Sequence, residues 1–441
     1  MLTALLALHM TAAGAATLAG GPMAGPATPA RVGIWLMTDG PAKVQLEYWP
    51  LAQPAAVKRS APVAASTERG HSARVELEGL QPATRYAYRV LIDGTAVELD
   101  DTPAFTTAPA DALAPRELLI ATGSCSYVPD PPHALTKDSF GAGFEIFDTI
   151  VARQADVMLW LGDNIYYRDS DFEPAGEAAA RMHQRWAATR SFPPLQRLLR
   201  TGQHVAIWDD HDYGPNNANR DFALKATALA HFKDYWANPG YGLPDVPGVF
   251  TRVPLGDVEL FLLDDRYHRD DDAGTDPART MLGARQLAWL RDALRNSHAT
   301  FKLVVNGSRM LSDRPSAEQR GGEGWHNFPA ERQAFMDWLV AQRIDGVFFI
   351  SGDIHYTHLT ERERPGTYPL TELTCSPLTA RVHPRPFPVR EVAGTLVTQR
   401  NFCTLQFSGP ASARVLRVAA WDTAGARQWE AEFPATRLQT P

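Results

Sequence analysis

Cysteine is scarce in this chain: three in 441 residues, at positions 125, 375 and 403, which excludes a disulfide framework as the basis of the fold. Cys375 and Cys403 lie in strand-like runs, TELTCSPL and NFCTLQF, and two readings stand: a pair, if the chain is exported, or two buried thiols acting as small hydrophobes. Basic charge is also in deficit, with 43 Lys and Arg against 50 Asp and Glu and a formal charge of −7. A nucleic-acid binder needs a basic face for phosphates, so no nucleic-acid partner is expected. The surplus of carboxylates suits a bound cation instead. The long uncharged run at the start, MLTALLALHMTAAGAATLAGGPMAGPA, is too short and too rich in Ala and Gly for a membrane span. It lacks basic residues as well, yet a secretory leader over residues 1–24 is its better reading, with periplasmic or secreted export; a disordered tail or misplaced start codon is the alternative. There is no internal repeat, and no serine in a G-x-S-x-G setting that would serve as a nucleophile.

What remains is ample core. Hydrophobic residues make up 44% and charged residues 21%, a soluble globular mix long enough for two domains. Residues 30–108 alternate like half-buried strands, as in RVGIWLMTDG and AKVQLEYWP, with turn signals every ten or so residues. That pattern predicts a small β-sandwich. LEGLQPATRYAYRV resembles the fibronectin type III signature, in which a tyrosine, here Tyr86, bonds back to the backbone. An Ala/Pro-rich linker over 108–115 closes the module.

From residue 115 to 441 short apolar strands alternate with helical stretches, the pattern of an α/β layer protein. Helices are expected at 283–297 and 330–343, and a helix from about 178 is broken at Phe192-Pro193-Pro194. The tail, PLTELTCS through RQWEAEFP, is strand-like and is expected to form a second sheet.

Chemistry concentrates where the strands stop. The first ends in Gly123-Ser124-Cys125, the second in Gly162-Asp163 with Tyr166 behind, the third in Asp209-Asp210-His211-Asp212, and a late one in Ser351-Gly352-Asp353-Ile354-His355. Sites in α/β sheets form outside carboxyl ends of strands, where loops converge on a rigid frame. Each motif alone is weak: Gly-Asp is often an Asx-turn, Asp-Asp-His a helix cap, and a lone cysteine a buried hydrophobe. Together they gather acids that cannot all ionise in one cleft without positive charge, which metal ions would supply.

The series Ser-Cys, Gly-Asp-x-x-Tyr, Trp-Asp-Asp-His and Ser-Gly-Asp-x-His resembles the PhoD-like alkaline phosphatases, a branch of the calcineurin-like metallophosphoesterases. The resemblance implies two central sheets flanked by helices in four layers, preceded by a fibronectin III-like module. It implies that Asp163 bridges two metals, that Cys125, Tyr166 and His355 complete a ferric iron site, and that Asp210 and Asp353 hold calcium. Phenolate and thiolate suit Fe(III), whereas calcium seeks oxygen. His211 would face the phosphate, so His211, Asp163 and Asp210 form the implied catalytic set. The chain departs from the family at Asp212, where Glu is usual, and in the run of Asn216, Asn217 and Asn219. Asn217, Arg266 and Asn306 are candidate phosphate contacts. An arginine fork suits phosphate, but a structural salt bridge fits Arg266 equally. His358 is either a partner orienting His355 or a surface residue.

The expected activity is hydrolysis of phosphoric esters by direct attack of water, activated between two cations. Phosphodiesterase or phospholipase D-type activity is the alternative on the same site. A non-catalytic binding protein is the reading from another class, and it would be betrayed by a lost ligand.

Overall fold

The computed structural model describes residues 15–130, 140–313, 323–384 and 390–441. Its N-terminal part consists of β1 (Leu18–Ala24), β2 (Arg31–Thr38), β3 (Ala42–Pro50), β4 (Lys58–Arg59), β5 (Val63–Ala65), β6 (Ser72–Glu78), β7 (Arg85–Ile92), β8 (Thr95–Ala96) and β9 (Ala104–Thr106). There follow β10 (Leu118–Gly123), α1 (Glu145–Ala152), β11 (Val157–Leu161), α2 (Ala178–Arg190), α3 (Gln196–Leu199), β12 (Gln203–Ile207), α4 (Asp210–Tyr213) and α5 (Lys225–Tyr235). The last stretch holds β13 (Thr251–Pro254), β14 (Val258–Leu262), α6 (Ala284–Arg295), β15 (Phe301–Val305), α7 (Pro329–Ala341) and β16 (Val347–Ser351). It closes with β17 (His358–Arg362), β18 (Leu370–Thr374), β19 (Asn401–Ser408), β20 (Val415–Asp422) and β21 (Arg427–Pro434).

Two sheets carry the large domain. One runs β21-β20-β19-β10-β11-β12-β1-β2-β6, the other β13-β14-β15-β16-β18-β17. The central strands β10, β11 and β12 are parallel, as are β14, β15, β16 and β18. Alternation along the strands of the first sheet sets its two faces. Leu159, Leu161, Val205, Ile207, Leu405 and Val418 point into the apolar layer shared with the second sheet. Met158, Trp160, Ala206 and Trp208 point the other way, onto the side chains of α1, α2, α3 and α5. Helices α6 and α7 cover the second sheet through Leu290, Leu294, Phe335 and Leu339. Buried on both sides, β11 and β16 read as unbroken apolar runs, VMLWL and VFFIS.

The helices fall where the sequence puts them, and the break before α3 is the Pro193-Pro194 turn, where a missing N–H ends the ladder. The tail does not form a sheet of its own. Strand β18 joins β16 in the second sheet, whereas β19, β20 and β21 extend the first sheet beyond β10. Strand-like composition cannot say which edge a strand will meet, because pairing is decided by chain geometry. Cys375 and Cys403 are bonded to each other, fastening the end of β18 to β19.

The N-terminal strands form two facing sheets around Val32, Ile34, Leu46, Tyr86 and Phe105. Tyr86 accepts a hydrogen bond at its phenol from the Gln81 amide at 3.0 Å, so the expected back-bond to the main chain is present. The module is not a bead on a linker, however. Its strand β1 pairs in parallel with β12 and antiparallel with β2, so one module sheet continues the large sheet. The end of the stretch expected as a leader thus lies within the sheet. Leu18–Ala24 is a strand in the middle of a nine-stranded sheet; residues 1–14 lie outside the described residues. The seam is tight as well as paired. Trp35 of β2 is fully buried, donates through its indole N–H to the Asp234 carbonyl at 2.8 Å, and lies beside Arg190 of α2. Gly25 passes so close to Ala237 that a Cβ would sit 2.1 Å from its carbonyl oxygen.

Because the sheet is shared, Trp35→Ala is expected to cost about 3–5 kcal/mol and to lower one common unfolding transition in urea. Separate melting of residues 15–110 in that variant would show that the seam carries no such weight.

Candidate metal centre

All four strand ends singled out in the sequence meet in one place. The carboxyl ends of β10, β11 and β12 face those of β15 and β16, and hydrogen bonds stitch the loops together. The Ser124 amide donates to the Cys375 carbonyl, Cys125 to Gly162, Ser126 to Asp163, and Gly352 to Gly307. Three glycines make the approach possible. A Cβ on Gly162 would lie 2.7 Å from Asp209 Cβ, one on Gly307 2.7 Å from Asp209 Cγ, and one on Gly352 2.5 Å from the Ser124 side chain. The chain also accepts strain here. Cys125, Asp163, Asp353 and His355 all have positive φ (61°, 51°, 71° and 58°), a region that costs non-glycine residues of order 1–3 kcal/mol each.

Cys125, Asp163 and His355 bring one ligating atom apiece within 4.8 Å of one another, and Asp163, Asp210 and His211 form a second such group that shares Asp163. Cys125 Sγ lies 3.4 Å from Asp163 Oδ2 and receives the Ser376 hydroxyl at 3.1 Å. The Tyr166 phenol donates to the same Asp163 Oδ2 at 3.1 Å and lies 3.3 Å from His355 Nε2. His355 Nδ1 sits 2.5 Å from the Arg381 carbonyl, which places the ring proton there and leaves the Nε2 lone pair facing Tyr166. In the second group the His211 amide donates to Asp210 Oδ1 at 3.0 Å, and the Asn217 amide to Asp210 Oδ2 at 2.8 Å. The His211 ring packs on Tyr166 with centroids 4.2 Å apart.

Other candidates are placed differently from the sequence reading. Asp353 belongs to neither close donor group among the described residues; its backbone carbonyl is what meets Cys125 Sγ, at 3.5 Å. Arg266 is fully buried, with Nε on Asp209 at 2.6 Å and Nη1 and Nη2 on Glu323 at 2.7 and 2.9 Å. Its fork is spent on a salt bridge, which is the alternative the sequence reading left open for it. Asn217 is exposed and reaches the site through its main chain, while its side chain meets Asn216. Asn306 turns its amide to Asp265 and Ser308, leaving its oxygen without a partner. His358 is fully buried and not a surface residue. Asp212, where the resembling family usually has Glu, accepts from the Asn164 amide and side chain and from the Asp209 amide, so it braces the turn. Glu323 was not visible in the sequence; nothing in its surroundings marks it. Ser376 carried a signal, since it follows a cysteine at a strand end in TCSP.

The electrostatics call for a cation. Burial, then the neighbours Cys125, Asp210, Asp212 and Asp353, push the Asp163 carboxyl well above the ordinary range. Burial and then Glu323 and Asp210 lift Asp353 to about 7, and burial lifts the Cys125 thiol to about 11. Tyr166 is raised too, by burial and then by Asp163. Asp210 moves down: burial opposes its charge, but His211 and Arg266 outweigh it. Burial also lowers His355, which favours a ring lone pair able to ligate, and lowers His211 against the Asp210 charge that raises it. Asp209 Oδ2 and Asp265 Oδ1 are buried without a hydrogen bond, like the Asn306 oxygen. A thiol, a phenol, neutral imidazoles and a carboxylate shared by two donor groups fit metal ions, and without one the acids retain protons.

Residues 120–415 match the profile of the PhoD-like phosphatases, and residues 15–110 match a domain of unknown function, DUF7800. Alkaline phosphatase D of Bacillus subtilis (strain 168) is 24% identical over 324 residues, 65% of this chain and 53% of that protein. The chain thus spans about half the length of that curated relative. A solved structure of PhoD superposes with a TM-score of 0.73 at 18% identity, covering 92% of this chain and 91% of that one. Purple acid phosphatase PPD1 from yellow lupin (Lupinus luteus) seeds superposes with a TM-score of 0.64 at 11% identity, over 94% of this chain and 74% of that one. At such identities the likeness speaks for the fold.

Metal uptake must displace the protons held by the raised acids. Between the ordinary carboxylate value of 3.8 and about 7, the empty folded site binds more protons than free carboxylates would. Metal affinity is therefore expected to rise with pH across that window, with proton release on binding. Titrating chelated protein with metal at several pH values in two buffers measures both; pH-independent binding without proton release would contradict it.

Proposed function

Since the chain belongs to the PhoD-like phosphatase family, we propose that it hydrolyses phosphoric esters at a dinuclear metal centre, by in-line attack of water and without a covalent phosphoenzyme. The observation that carries this reading is the pair of donor groups sharing Asp163. On this reading Cys125, Asp163, Tyr166 and His355 hold a ferric ion, since thiolate and phenolate donors suit it. Asp163 and Asp210 would hold the second metal, a calcium ion, with Asp353 assigned to it by the family resemblance and not by the close donor groups. When bound, the metals supply the charge that acidifies a water and neutralises phosphoryl oxygens.

The chain's own residues do the rest. Ser376 and Ser124, hydrogen-bonded to Cys125 Sγ at 3.1 and 3.2 Å, favour the thiolate. The Arg381 carbonyl fixes the His355 tautomer, and the Asn217 amide holds Asp210 in its ionised form. His211, half-buried beside Asp210, is placed to give a proton to the leaving oxygen or to hold a phosphoryl oxygen. The exposed Phe140 ring lies 5.9 Å from both Tyr166 and His355 and packs edge-on against Tyr127.

Export to the periplasm or exterior belongs to the same proposal, with any leader ending before Leu18. The bonded Cys375–Cys403 pair supports it, because disulfides persist in oxidising compartments. The Tyr86 back-bond supports the fibronectin III-like reading of the N-terminal module.

Asp163→Ala is expected to lose both metals and to fall to assay background on p-nitrophenyl phosphate, with native far-UV circular dichroism. His211→Ala is expected to keep its metal, measured by elemental analysis, and to lose about 10²–10⁴-fold in turnover. Loss of metal in that variant would make His211 a ligand instead, and full activity of Asp163→Ala would end the dinuclear account.

A further inference from the structure

A buried guanidinium is tolerated only where something offsets its desolvation. Six arginines are buried among the described residues: 190, 266, 269, 309, 364 and 414. Arg266 has Asp209 and Glu323, Arg269 has Asp272, and Arg414 has Asp257. Arg364 donates to the Tyr368 carbonyl. Arg190 lies over the indole faces of Trp236, Trp186 and Trp35. Arg190, too, has no acid and leaves Nε and Nη2 without hydrogen bonds, but rings cover it; Arg309 has neither an acid nor a ring among the described residues. It is 4% exposed, its Nε and Nη1 have no hydrogen-bond partner, and no acid forms an ion pair with it among the described residues.

Its position explains why that matters. Arg309 lies on the loop after β15, and this loop is tied to the turn carrying Asp353 by the bond from the Gly352 amide to the Gly307 carbonyl, at 2.9 Å. The next two amides, Met310 and Leu311, donate to the two oxygens of Glu372 at 2.7 and 2.8 Å, which engages the nearest buried acid on the sheet. Glu372 faces Thr360 across β17 and β18, and His358 is two residues from Thr360 on the same face. Both ring nitrogens of His358, the Thr360 hydroxyl and the Ser312 hydroxyl are also buried without partners. Asp353, His358 and Glu372 each feel the Arg309 charge. Arg309 thus carries a guanidinium without an ion pair on a loop hydrogen-bonded to the turn of Asp353, in a strip of polar groups without partners among the described residues.

We propose that Arg309 binds a non-bridging oxygen of the substrate's phosphoryl group and so favours dianionic phosphate monoesters over monoanionic diesters. This rests on the phosphoester reading above and names its substrate class. A guanidinium matches an oxyanion in both charge and shape, and the second negative charge of a monoester is what a diester lacks. Arg266, also at the site, has no free fork to offer.

The test uses the full, metal-loaded chain with Arg309→Met and Arg309→Lys. For Arg309→Met, kcat/KM on p-nitrophenyl phosphate is expected to fall about 10–100-fold, with inhibition by inorganic phosphate weakened to a similar degree. On bis-p-nitrophenyl phosphate the loss is expected to stay within about threefold, and metal content to be unchanged, with Arg309→Lys recovering part of the monoester rate. Equal losses on both esters with unchanged phosphate inhibition would overturn the proposal and leave Arg309 a positioning residue; so would no loss at all. Should Arg309→Met not fold, the ratio of monoester to diester rates in Arg309→Lys decides alone. If the wild type hydrolyses neither ester, the phosphoester reading fails. Titration of inorganic phosphate into wild type and variants still tests the Arg309 site, with equal affinities counting against it.

Discussion

The structure depends on one electrostatic constraint: the carboxylates brought to the strand ends cannot all be charged in a buried space. Asp163 bears most of this, since Cys125, Asp210, Asp212 and Asp353 all surround it. A low-dielectric site raises the cost of every added negative charge, so the geometry is complete only with cations. The two donor groups that share Asp163 locate where those cations would sit. Left-handed backbone at four of these positions is the conformational cost of aiming the side chains inward.

The surrounding shell manages the acids that the metals do not reach. Arg266, pinned between Asp209 and Glu323, neutralises the acid next to Asp210 and holds the β12 loop against the β15 side. Gly162 and Gly307 allow that loop to approach, since a Cβ at either would collide with Asp209. Asp212 braces Asn164 and the Asp209 amide, so its carboxylate serves the turn and not the cleft.

The N-terminal module contributes to the rigidity of this frame. Strand β1 borders β12, whose far end carries Asp209, Asp210 and His211. Trp35 and Gly25 lock the seam against α5 and the Ala237 segment that follows it. A module that shares a sheet with the large domain cannot move independently of it, which keeps one wall of the candidate site fixed.

Much of this was legible in the residues. Apolar runs ending in Gly-Asp, Ser-Cys, Asp-Asp-His and Gly-Asp-x-His named the strands and their ends, because side-chain period and strand termination are local properties. Cys125, Asp163, Tyr166, Asp210, His211 and His355 stand out in the sequence and meet in the fold. What folding alone decided was who faces whom. Composition could not tell that Arg266 spends its fork on Glu323, that Arg309 is left unspent, or that β19–β21 border β10. Nor could it tell that Leu18–Ala24 pairs with β12 and β2. Motif chemistry is written in neighbours along the chain, whereas ion pairing, strand order and burial depend on neighbours in space, and those exist only once the chain has closed.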